Sequence, residues 1–251
     1  MQKNTIIGAF VLFVAIAALI LYAAMKPAPA KAPTTIPTVV LPVSSFTEHA
    51  PYYDITANYA SSTPLGGDAN VSAVELMKNF VGTTISQFKT EGNFDNLTPE
   101  DITAMGFDKG RKETLQITYL IASSAHTVSY IFTIYEDTLG AHGNTFFHTF
   151  TFDTGTGASL SLADIFSSSY LDTLSSISRT KLPSVIGDDA DPAFINNGTT
   201  PDEKNFENFF FDNRDFVVLF APYQVAAYAD GPQTLRIPLS ELSSILKPEY
   251  R

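Results

Sequence analysis

His142 is the residue of this chain best placed for recognition chemistry. It follows Leu139-Gly140-Ala141 in a glycine-containing turn, with Asp137 before it and Asn144 after it. A histidine in such a turn can be exposed and reach a ligand, with a carboxylate and an amide close by. The plainer role for these residues is a hydrogen bond that fixes the turn. His148 stands among Phe146, Phe150 and Phe152 at two-residue spacing, which predicts a buried core histidine. Tyr223 and Tyr228 carry rings that suit a recognition surface for protein or glycan, or else core packing near the chain end. Asp188, Asp189 and Asp191 offer hard oxygen ligands, but their spacing is not that of a calcium-binding helix-loop-helix and predicts a solvated acidic loop. A Ser-His-Asp set carries little weight among more than twenty serines. We therefore assign no catalytic residue, no metal ligand and no cofactor, and name His142, Asp137, Asn144, Tyr223 and Tyr228 as candidate binding residues.

The elements that must position these residues follow from hydrophobic periodicity. Between Tyr135 and Phe166, Phe146, His148, Phe150 and Phe152 alternate with Phe147, Thr149, Thr151 and Asp153, the two-residue repeat of a strand. Asp153-Thr154-Gly155-Thr156-Gly157 reads as a tight turn, and Leu160 and Leu162 as a returning strand, so a hairpin is expected there. Strands are also predicted over 53–59, 114–121, 128–135, 206–211, 216–220 and 234–239, with Asp212-Asn213-Arg214-Asp215 as a hairpin turn. Val74, Met77, Val81, Ile85 and Phe88 form one stripe of a helix over about 72–89. Leu171, Leu174, Ile177, Leu182 and Val185 suit a second helix over about 168–185, its start fixed by serines and interrupted or closed near Pro183. Residues 91–112 and 187–203 read as loops, the first holding at most one helical turn between Thr98 and Gly106, and a short helix opens at Ser240-Glu241. With so few helices to cover crossovers, this order predicts an α+β fold, mostly antiparallel, with two principal helices.

Composition bounds the function. Lys3, Lys26 and Lys31 are the only charged side chains before residue 33, so the remainder sets 12 basic against 26 acidic groups. Nucleic acid is not expected as a partner; the acidic surface suits encounter with a basic protein or bound cations, or simply serves solubility. There is no cysteine, hence no disulfide and no thiol chemistry. Ile6 to Met25 lacks any charge and rises about 30 Å as a helix, the thickness of a bilayer core, so we expect an uncleaved single-pass transmembrane anchor over residues 6–25. Residues 1–5 form a short cytoplasmic end, and prolines 27, 29, 33, 37 and 42 make 26–46 a stiff Pro/Thr-rich stalk. The polar remainder is expected outside the cytoplasm, held at the cell membrane.

Three motifs carry a resemblance. Gly140-Ala141-His142, Asp153 to Gly157 running into Leu162-Ala163-Asp164-Ile165-Phe166, and Phe220-Ala221-Pro222-Tyr223 followed by Tyr228-Ala229-Asp230-Gly231 and Ile237-Pro238-Leu239 resemble the extracytoplasmic domain of unknown function of RsiV-type anti-sigma factors. Tyr53 to Phe88 resembles the PdaC-type domain that precedes it. The resemblance divides the folded part into a PdaC-like segment, 47–112, and an RsiV-like domain, 113–251. It implies an envelope-facing binding or sensing module, with a lysozyme-like protein or peptidoglycan as partner, or alternatively a peptidoglycan-modifying enzyme or the accessory of a polysaccharide deacetylase. The His-x-x-x-His metal ligands of such a deacetylase are not found in this sequence, and the five residues expected before the anchor would be too few for a sigma-binding domain. Where the family turn reads Gly-Gly-Ala-His, this chain has Leu139 at the first position.

Overall fold

The computed structural model describes residues 43–251. The anchor at 6–25 and the stalk up to residue 42 lie outside the described residues. Among the described residues no helix is long and apolar enough to cross a membrane.

Five strands form the first sheet: β1 (Val43–His49), β2 (Tyr53–Ala60), β3 (Glu113–Ser123), β4 (Thr127–Asp137) and β5 (Asn144–Asp153), in spatial order β1-β2-β3-β4-β5. All neighbours are antiparallel except β2 and β3. The chain leaves β2, crosses through α1 (Gly67–Gly92) and the short α2 (Pro99–Met105), and returns as β3 beside β2, with Tyr53 opposite Glu113. This pairing joins residues on both sides of position 112 into one sheet. The second sheet holds β6 (Phe209–Asp212), β7 (Asp215–Phe220) and β8 (Gln233–Pro238), all antiparallel. α3 (Leu162–Ile165), α4 (Tyr170–Ile186) and α5 (Pro192–Gly198) lie between the sheets in sequence. The fold is α+β, with five α-helices and two sheets among the described residues.

Period-two alternation sorts the aromatic residues into three apolar layers. Tyr130, Phe132, Ile134, Phe150 and Phe152 pack beneath α1, against Ala73, Met77, Val81, Ile85 and Phe88. The opposite faces of β4 and β5 send Ile131 and Phe147 onto Phe210, Val217 and Leu219 of the second sheet. The far faces of β6 and β7, with Phe209, Phe211, Phe216, Val218 and Phe220, bury against Leu174 and Leu182 of α4. Helix, sheet, sheet and helix thus stack as four layers, which explains why this chain spends so many phenylalanines on strands. The buried Ser129 and Thr151 hydroxyls pair at 2.9 Å, and Thr149 Oγ1 accepts the Phe209 N–H at 3.1 Å, so polar groups between the sheets are satisfied.

Several local expectations are corrected. The returning strand after Gly157 is reduced to one bridge, Phe152 to Ser159, because the Ser161 hydroxyl and Asp164 carboxylate form a capping box that starts α3 at Leu162. Residues 43–46, assigned to the stalk, begin β1, where the β2 partner supplies the ladder. The loop 187–203 contains α5, with Asp191 accepting the Ala193 N–H at 2.7 Å and Pro192 in the first turn, so Asp191 caps a helix instead of lying in a solvated loop. α4 has no serine side-chain cap and continues through Pro183 to Ile186. Thr98 and Gly106 do bound α2, with the threonine in a capping box and the glycine left-handed, although α2 is longer than one turn.

Candidate aromatic site at the β4–β5 turn

Residues 138–143 join β4 to β5 and carry His142 to the segment between β7 and β8, which holds Tyr223 and Tyr228. The His142 imidazole stacks on the Tyr228 ring with centroids 3.8 Å apart and an interplanar angle of 22°. Tyr223 completes the group, 5.4 Å from Tyr228 and 6.3 Å from His142. Three of the five predicted residues therefore meet across about eighty residues of chain.

The hydrogen bonds define the tautomer. Nδ1 of His142 lies 3.1 Å from the Gly143 carbonyl, which only accepts, so Nδ1 carries the proton. The neutral ring then presents Nε2 as an acceptor, and the Tyr223 hydroxyl lies 3.4 Å from it. The Tyr228 hydroxyl donates to the same Gly143 carbonyl at 2.6 Å. One carbonyl thus fixes both the imidazole and the phenol that stacks beneath it. Gly143 is buried, and a Cβ there would meet the Tyr135 hydroxyl at 2.3 Å, which requires glycine for the close approach.

Two non-glycine residues at this site take left-handed backbone, Leu139 at φ 62° and Tyr223 at φ 69°. Leu139 occupies the place where the turn pattern has a glycine, and its N–H is held by Asp137 Oδ1 at 2.9 Å while Arg111 donates to its carbonyl at 3.3 Å. Tyr223 is 54% exposed, so no burial of its ring offsets the backbone cost of roughly 1–2 kcal/mol. Its position is imposed from below. Gln224 donates to the carbonyls of Gly198 and Asn205 at 3.3 and 3.1 Å, accepts the Ala221 N–H at 3.2 Å, and is followed by buried Val225 and Ala226. Gly198 permits this, since a Cβ there would come within 1.9 Å of the Gln224 carbonyl oxygen.

Asp137 and Asn144 are not joined to the imidazole. Asp137 is spent on the Leu139 N–H, and Asn144 lies opposite Glu136 in the ladder with its side chain exposed. Among the described residues no serine is hydrogen-bonded to His142, so the cluster presents rings and acceptors and no activated nucleophile. His148 is partly buried, stacked on Phe80 at 4.3 Å, and burial lowers its pKa, which keeps the ring neutral. No three His, Asp or Glu side chains among the described residues gather in a way that could hold a metal ion.

What the geometry builds is a ledge of three rings on a rigid support, able to take the flat apolar face of a sugar or a planar side chain, with hydroxyls at its edge for polar contacts. The strain at Tyr223 has no sequence signal beyond Pro222 before it, and could not be read in advance. Residues 163–240 match the family model described as a protein of unknown function (DUF3298). The chain is 32% identical over 198 residues to the peptidoglycan-N-acetylmuramic acid deacetylase PdaC of Bacillus subtilis, covering 78% of this chain and spanning only 40% of that protein's length. The fold is similar to those of two DUF3298-family crystal structures. One is from Bacteroides fragilis, with a TM-score of 0.57 and 15% identity over 84% of this chain and 95% of that one. The other, from Pseudomonas aeruginosa, has a TM-score of 0.51 and 12% identity over 84% and 96%. The chain therefore carries a DUF3298 segment on the fold of DUF3298 proteins, and is related to PdaC.

Proposed function

We propose that this chain is an envelope-facing recognition module of the RsiV-like kind, tethered by residues 6–25, whose ledge of His142, Tyr223 and Tyr228 binds the glycan of peptidoglycan. The observation that carries the reading is the combination at Tyr223, an exposed aromatic ring held in left-handed backbone by a pinned loop. Strain of this kind persists at ligand clamps because the surrounding structure over-determines it. The relationship to PdaC, a peptidoglycan-N-acetylmuramic acid deacetylase, supports the choice of polymer. The test is co-sedimentation of the chain with purified insoluble peptidoglycan, beside Tyr228→Ala. Retention of the native chain and loss in the variant support the reading; equal retention of both, or none of either, sinks it.

A second reading is favoured by charge. With 26 acidic against 15 basic residues, the surface suits a basic protein such as a lysozyme-like muramidase. Binding to lysozyme that disappears at 0.5 M salt and survives Tyr228→Ala would favour that reading over the glycan.

A further inference from the structure

A groove of about 340 Å³ lies between the later turns of α1 and strands β4 and β5, and none of its lining residues belongs to the His142 cluster. Phe80, Phe88 and Phe146 supply aromatic wall, and His148, stacked on Phe80, has no hydrogen-bond partner among the described residues. Phe146 is 46% exposed, an unusual position for a large ring on the helix-covered face of a sheet.

The polar members of the groove are acids. Glu91 from α1 and Glu136 from β4 line it, and no lysine or arginine does. Glu113 precedes Leu115 of the groove floor by two residues on the same face of β3, is only 6% exposed, and its carboxylate has no hydrogen-bond or ion-pair partner among the described residues. Outside the groove Glu48 pairs with Lys89 at 2.6 Å and Asp54 with Lys112 at 3.1 Å, whereas within it Glu91 accepts a hydrogen bond from Gln87 at 2.8 Å and no cation. Burial raises the pKa of both Glu113 and Glu136, and neighbouring acids add to it: Glu136 and Asp137 act on Glu113, and Glu91 acts on Glu136. Glu91 and Glu136 thus place negative charge in a groove whose aromatic faces attract cations.

We propose that this groove is a second binding site, which takes a primary ammonium carried on an apolar or sugar ring. The ring lies against Phe80 and Phe146, and the ammonium sits between Glu91 and Glu136. With no metal-holding cluster among the described residues, an organic cation fits the donor set better than an ion. The proposal stands apart from the glycan-binding ledge.

The test is an NMR titration of the whole chain at pH 7.5 with benzylamine, benzyl alcohol and benzoate, three ligands that share a ring and differ in charge. Saturable shifts from benzylamine at Glu136, Phe146, His148 and residues 84–91, at least about tenfold tighter than with benzyl alcohol, support the site. Glu136→Gln and Glu91→Gln, each with an unchanged melting temperature, then weaken benzylamine by about tenfold or more. Binding of benzyl alcohol or benzoate as tight as benzylamine, or affinity untouched by both variants, overturns the proposal. Either result leaves co-sedimentation with peptidoglycan, and its dependence on Tyr228, to be judged on its own.

Discussion

Tyr223→Asn separates a binding role from a structural one. In the native chain the residue sits at φ 69°, which costs an ordinary L-residue roughly 1–2 kcal/mol. Asparagine tolerates this region far better, so most of that cost is recovered. Against it stands the loss of the Tyr223 ring, which is tilted against Tyr228 at 5.4 Å and donates a long 3.4 Å hydrogen bond to His142 while 54% exposed. An aromatic pair of this quality contributes about 0.5–1.5 kcal/mol, and the long exposed hydrogen bond little. The two terms cancel to within about 1 kcal/mol, and the melting temperature shifts by less than about 4 °C. Affinity for peptidoglycan falls roughly tenfold, since one stacking ring worth about 1.4 kcal/mol is removed. Thermal unfolding by circular dichroism and co-sedimentation at graded polymer concentration measure the two quantities. Undiminished binding would show that the ledge is not the recognition surface, and a loss of more than about 3 kcal/mol of stability would show that the ring supports the fold.

Glu113→Gln tests the unpaired acid by its pH dependence. Burial raises the carboxyl pKa in the folded state, so its charge destabilises the native chain as pH rises from the ordinary glutamate value through the folded one. The variant accordingly melts higher than the native chain at pH 7.5 and shows no gain at pH 4, whereas a pH-independent difference would place the effect elsewhere. Gly198→Ala forces a methyl against the Gln224 carbonyl, where a Cβ would lie 1.9 Å away, and is expected to cost about 1–3 kcal/mol and weaken peptidoglycan binding by shifting the Tyr223 loop. Native-like melting and binding would show that the loop is not pinned there. Phe216→Ala, at the centre of the α4-facing layer and fully buried, should cost about 3–5 kcal/mol in urea unfolding. A cost below 1 kcal/mol would refute the layer assignment.

Much of the fold was legible in local pattern. Of the stripe Val74, Met77, Val81, Ile85 and Phe88, the last four are buried as their spacing demanded, while Ala73 is buried in place of Val74 because its side chain faces the sheet more directly. The alternation of β5 placed Phe150 and Phe152 on one side, and the hairpin at 212–215 formed around turn residues. Patterns failed where two signals competed within a few residues. After Gly157 the leucine alternation suggested a strand, but Ser161 and Asp164 satisfied the backbone as a helix start, and a local hydrogen bond outweighed an alternation with no full ladder to join. α5 was hidden in a polar segment because the signals that create it, Asp191 as cap and Pro192 in the first turn, are also turn signals. β1 was hidden because an edge strand depends on its neighbour more than on its own residues.

The residue chemistry of the ledge was set by sequence alone: a histidine in a glycine turn and two tyrosines near the chain end. That these rings form one surface, with the histidine tautomer fixed by the Gly143 carbonyl and Asp137 turned to its own loop, was decided only by folding, since the partners lie 81 and 85 residues apart. The groove was equally invisible, for Glu91 and Glu136 read as solubilising acids until α1 packs on the sheet and brings both to one aromatic groove. Period and turn chemistry are local properties of a chain, whereas the pairing or abandonment of a charge belongs to the packed whole.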